Sequence, residues 1–82
     1  MQTVYVLYSE QYDKIYVGVT SNLEQRFLSH NSLAKKGWTI KFRPWIIIYQ
    51  EKIENKQLAL KREKELKSAA GRRFIRTLIL NK

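Results

Sequence analysis

The stretch TVYVLYSEQYDKIYVG, residues 3–18, decides the fold. Residues 3–8 and 15–19 alternate β-branched and aromatic side chains in the manner of paired strands, and the polar Ser9-Glu10-Gln11-Tyr12-Asp13-Lys14 connects them as a hairpin. The connection has no Asn-Gly pair, so the register is left open. Tyr5 and Tyr16 stand at matched places in the two runs.

Outward from this hairpin the chain turns helical. Ser21-Asn22-Leu23-Glu24 reads as a capping box, with the Ser21 hydroxyl accepting from the Glu24 amide, so a helix should begin at Asn22. Leu23, Phe27 and Ala34 fall on one side at helical spacing, and the polar Asn31-Ser32 predicts fraying before Ala34. Residues 33–43, with Gly37, read as a loop that ends at Pro44. Trp45-Ile46-Ile47-Ile48-Tyr49 is apolar on both faces, the pattern of a strand covered on both sides. Asn55 can cap a helix over Lys56–Lys67, and Gly71 separates it from a third at about Arg72–Leu80. There Phe74, Ile75, Leu78 and Ile79 face inward, while Arg72, Arg73 and Arg76 lie outward. The expected class is α+β: one domain over 1–82, with a three-stranded, mainly antiparallel sheet packed with about three helices.

Composition restricts what such a domain does. With no cysteine among its 82 residues, the chain has neither a disulfide framework nor a thiolate zinc site. No apolar run approaches membrane-spanning length and the N-terminus lacks a signal-peptide pattern, so it reads as soluble and cytoplasmic, without a membrane partner. The net charge is +9, of which residues 56–82 carry +7 from nine basic and two acidic side chains. That asymmetry favours a polyanionic partner through counterion release, against the plainer reading of a solvated basic surface. No triad nucleophile motif, phosphate-binding glycine loop or dinucleotide fingerprint occurs, which removes the corresponding enzyme classes and any small-molecule cofactor.

The remaining polar residues can be placed by helical geometry. With Leu23 at 0° and steps of 100°, His30 falls at about 340°, beside the apolar stripe, and Arg26 at about 300°, just beyond it. With Leu58 at 0°, Glu63 falls at about 140°, near Ala59 and Leu66. Each residue has an ordinary alternative. A strand tyrosine packs well on a pleated surface, His30 can bond backbone at a helix end, Arg26 can pair with Glu24 or Glu10, and Glu63 sits among surface charges.

Taken together, these residues resemble the GIY-YIG nuclease family, particularly its small single-domain bacterial members related to the nuclease module of excision repair. Thr3-Val4-Tyr5 stands where the family has Gly-Ile-Tyr, and Tyr16-Val17-Gly18 stands for Tyr-Ile-Gly. Thr20 to Arg26 with His30 resembles the helix that carries the family's arginine and histidine, and Leu58 to Lys67 resembles its acidic helix. The resemblance implies a DNA endonuclease in which Glu63 holds one Mg²⁺ or Mn²⁺ ion. Tyr5 or Tyr16 would activate water, His30 would assist, and Arg26 would bind the scissile phosphate. Arg72, Arg73 and Arg76 would contact nucleic acid. The alternative is a non-catalytic nucleic-acid-binding protein, with RNA as the other candidate partner. The chain departs from the family pattern in three places: Thr3 replaces the first glycine, Val19 stands where some relatives carry lysine, and Ile75 where several carry asparagine.

Overall fold

The computed structural model describes residues 1–33 and 37–81. Gln2–Ser9 (β1) and Lys14–Thr20 (β2) form the expected hairpin, in a register that pairs Tyr5 with Gly18 and Leu7 with Tyr16. Asp13 closes the turn at φ 52°, a left-handed conformation that a short polar side chain tolerates. Its carboxylate accepts from the Tyr8 hydroxyl at 2.9 Å and pairs with Arg76 at 2.6 Å, and both partners hold it below the usual carboxylate range. Ile46–Ile53 (β3) pairs antiparallel with the other side of β1, giving the order β2-β1-β3.

The central strand is therefore β1, and it is the one buried on both faces. Val4 and Val6 point into one cluster, Tyr5 and Leu7 into the other. The apolar run before Tyr49 was expected to be covered on both sides, yet Ile46 to Tyr49 are only half-buried because β3 is an edge. Its run of apolar side chains has a local cause. Between Val6 and Leu7 the register skips Ile48, a bulge that lets consecutive Ile48 and Tyr49 both pack on the Val4 and Val6 cluster.

Helix α1 spans Leu23–Leu28, one residue later than the capping box implied. Asn22 is the cap instead: its side chain accepts from the Gln25 amide, while its own amide is taken by Thr20 Oγ1 at 3.1 Å. The chain then widens into a π-helical turn over Ser29–Leu33. Leu23 and Phe27 reach the Tyr5 and Leu7 cluster as expected, whereas Ala34 lies outside the described residues. Part of the segment read as loop is a 3₁₀ turn, Trp38–Phe42.

Helices α2 (Lys56–Lys67) and α3 (Ala69–Leu80) cover the Val4 and Val6 face. Asn55 caps α2 as expected. Gly71, expected as a separator, lies inside the first turn of α3, whose cap is Ser68. A Cβ at Gly71 would collide with the carbonyls of Glu65 and Leu66, so glycine is needed there for close approach rather than for a break. Ile75 is buried and Ile79 packs against the core, while Phe74 is 40% exposed and meets Tyr49 edge-on. No described helix is long and apolar enough to cross a membrane.

Candidate active site

The free edge of β2 opens onto a cleft of about 350 Å³, and it is here that the sheet, α1 and α2 meet. Tyr5, Tyr16 and Gly18 come from the hairpin, Arg26 from α1, and Lys56 and Glu63 from one side of α2. Gly18 is required by this assembly. A Cβ there would stand 2.5 Å from Tyr5 Oη and 3.0 Å from the Tyr16 ring, so only glycine leaves room for both phenols.

Beneath the cleft lies a buried hydrogen-bond chain. Tyr5, 1% exposed, bonds His30 Nε2 at 3.0 Å, and His30 Nδ1 bonds Thr39 Oγ1 at 3.0 Å. Burial, with Tyr16 beside it, holds the Tyr5 phenol above its ordinary value, against the opposing pull of Arg26. Tyr5 is therefore protonated at neutral pH. The chain is satisfied when Tyr5 donates to Nε2 and the single imidazole proton on Nδ1 goes to Thr39. The Tyr16 ring packs on His30, with centroids 4.7 Å apart, and is only half-buried.

His30 is placed by features that helical spacing did not reveal. It lies on the π-helical turn and is 8% exposed, inside the fold rather than beside the apolar stripe. Arg43 donates to the carbonyls of Ser29 and His30, at 3.1 Å from Nη2 and 2.5 Å from Nε, and fixes the end of that turn. The side chain of Asn31 clasps the backbone of Trp45 with two bonds, and Trp45 Nε1 donates to the Thr39 carbonyl. The cis Arg43-Pro44 bond leads directly into this brace.

Desolvation, reinforced by the Arg26 and Arg43 charges, lowers the His30 pKa below its ordinary value. The folded histidine is then neutral where an unfolded one, titrating near pH 6.5, binds a proton. Stability is full above about pH 6.5 and falls as pH drops from there towards the lower folded value. His30→Gln is expected to flatten this part of the curve, and Tm measured for both proteins between about pH 7.5 and 5 checks it. An unchanged slope would remove His30 as its cause.

Arg26 is exposed on the cleft wall and pairs with no carboxylate among the described residues. Glu63 has a side chain 22% exposed and pairs with Lys67 at 3.4 Å, one turn on. Among the described residues no three acidic, histidine or cysteine side chains gather as a metal cluster. Glu63 is the one carboxylate among the described residues that line the cleft, so a hard cation held there would need oxygens of substrate and water to complete its shell. Arg72 and Arg76 line a neighbouring cavity, while exposed Arg73 lines neither it nor the cleft.

Two residues escaped the sequence reading. Thr39, which hydrogen-bonds His30 Nδ1, lay in a stretch read as loop and carried no motif. Lys56, the first residue of α2, brings an ammonium to the cleft also lined by Val19, the position where some relatives carry lysine. Of the three departures, Ile75 is settled as packing, since it is fully buried in the Val4 and Val6 cluster.

The GIY-YIG catalytic domain family model matches residues 1–75. A UPF0213 protein of Staphylococcus haemolyticus is 36% identical over 56 residues, covering 68% of each chain. Another, of Staphylococcus saprophyticus, is 31% identical over 64 residues, 78% of each. A third, of Desulfotalea psychrophila, is 36% identical over 66 residues, 79% of this chain and 59% of its own. No solved structure matches the chain.

Proposed function

The chain belongs to the GIY-YIG nuclease family, and from that premise we propose that it is a divalent-metal-dependent endonuclease hydrolysing phosphodiester bonds of DNA. The observation that carries this reading is the buried Tyr5 to His30 hydrogen bond beneath a cleft lined by Tyr5, Arg26 and Glu63. A phenol held above its ordinary pKa does not ionise unaided. It can act as a base only if its proton leaves as the new one arrives, and His30 Nε2 is the acceptor in place.

In the proposed reaction, water gives a proton to Tyr5 Oη while the phenolic proton passes to His30 Nε2. The water oxygen attacks phosphorus, the bond from phosphorus to the leaving oxygen breaks, and that oxygen takes a proton from solvent. Thr39 holds the imidazole in the tautomer that leaves Nε2 free, and Tyr16, open to the cleft, orients the water. Arg26, unpaired with any described carboxylate, and Lys56 bind the phosphate and oppose the charge that builds on it. Glu63 would hold Mg²⁺ or Mn²⁺, whose chemistry is to polarise the phosphoryl group and stabilise the leaving oxygen.

A binding-only reading is favoured by one observation, the pairing of Glu63 with Lys67, which a cation must compete against. Incubation with supercoiled, nicked, branched and single-stranded DNA, with Mg²⁺ or Mn²⁺, separates the two. Nicking or cutting that a chelator abolishes is the expected result. Retention of DNA without any strand break would leave the binding-only reading.

A further inference from the structure

The catalytic cleft does not end at Tyr16. That ring also lines a second cavity, of about 510 Å³, which continues along the same free edge of β2 past Lys14 and Ile15. Leu66 and Lys67 of α2, one turn beyond Glu63, line it together with Arg72 and Arg76 of α3 and with Trp38. The two cavities adjoin at Tyr16, which lines both, with the candidate catalytic residues in the first.

The chemistry of the second cavity differs from that of the first. Lys14, Lys67, Arg72 and Arg76 meet one acid, Asp13, so the lining is strongly cationic. Arg76 is engaged by Asp13 and Lys67 by Glu63, but Arg72 pairs with no carboxylate among the described residues. Trp38 is 48% exposed although it is held firmly from behind, its ring centroid 4.7 Å from Phe42 and 5.9 Å from buried Trp45. A large indole kept at the surface and braced by two aromatic rings is ready to stack. Cations tracking a backbone beside an exposed aromatic face are the combination that binds unpaired strands, because every base has a π-face. In a duplex the bases are stacked on each other and cannot lie on Trp38.

Resting on the nuclease reading, we infer that this second cavity is a subsite for an unpaired DNA strand adjoining the scissile phosphate. One base stacks on Trp38, and Arg72 and Lys67 hold the flanking phosphates. The catalytic cleft then acts where a strand leaves the duplex or is single throughout.

Binding without metal tests this apart from cleavage. The full chain is titrated, in chelator, with fluorescein-labelled oligothymidine of about a dozen nucleotides and with a duplex of equal length. Oligothymidine is expected to quench tryptophan emission in the parent but not in Trp38→Phe, where only buried Trp45 remains. Trp38→Ala is expected to weaken oligothymidine binding about 5- to 150-fold, the worth of one stacked base, and duplex binding far less. Trp38→Phe, which keeps a ring, should recover most of that loss and guards against a folding defect in the alanine variant. Absence of quenching, or equal losses on both probes, would overturn the subsite. Failure of the nuclease reading is seen separately, as the absence of chelator-sensitive cutting by the parent.

Discussion

Glu63→Gln is expected to lower DNA cleavage by more than about 10³-fold, beyond the loss of a single positioned hydrogen-bond donor. The amide keeps the shape of the side chain but removes the charge on which a hard cation depends, and Glu63 is the one carboxylate among the described residues that line the cleft. Little else should change. The ion pair with Lys67 is partly exposed, and such pairs contribute about 0–1 kcal/mol, so Tm should move by no more than about 4–8 °C. Freed from Glu63, Lys67 becomes more available to phosphate, so metal-free DNA affinity should hold or rise. Glu65→Gln is the control, because Glu65 pairs with Arg62 and does not line the cleft. Parental turnover by Glu63→Gln would end the assignment.

Legibility in the sequence followed the range of the interactions. The hairpin, the α2 span and the Asn55 cap were readable because periodicity and capping are local. The errors arose where a residue's role depends on how elements pack rather than on periodicity within one element. Gly71 looks like a helix breaker until Glu65 and Leu66 are seen packed against its backbone. The apolar run in β3 looks doubly covered until the bulge at Ile48 and the edge position of the strand explain it. The site divides in the same way. Tyr5, Tyr16, Arg26 and Glu63 could be named from motif and helical phase, and all four line one cleft. Thr39 and Lys56 could not, since no periodicity links a 3₁₀ turn to the histidine that it orients. His30 lay between these cases. Its side chain was nameable, but its burial depends on the π-helical turn and on Arg43, which lies 13 residues away.

The tyrosines separate chemistry from packing. Tyr5→Phe deletes one hydroxyl and leaves the ring in the cluster with Leu7 and Trp45. It also strips His30 Nε2 of its partner, so a stability cost of about 1–3 kcal/mol is expected. If Tyr5 only packs, that is the whole effect, and cleavage measured well below Tm is unchanged. If it receives the water proton and passes its own to His30, the rate falls about 10²–10⁴-fold, the range for a general acid–base group. The kinetic loss is the expected outcome. Tyr16→Phe removes a half-buried hydroxyl that opens on the cleft, so it should lose rate with Tm nearly unchanged. Tyr49 supplies the contrast, because its hydroxyl donates to Glu51 at 2.6 Å beside Arg62 and lies outside the cleft. Tyr49→Phe should therefore lower stability modestly and leave cleavage at the parental rate. The relay adds a stricter requirement. If Tyr5 acts through His30, then Tyr5→Phe with His30→Gln should cost little more than Tyr5→Phe alone, since both remove one proton path. Multiplied losses in the double variant would mean that the two residues act independently and that the hydrogen bond between them carries no proton.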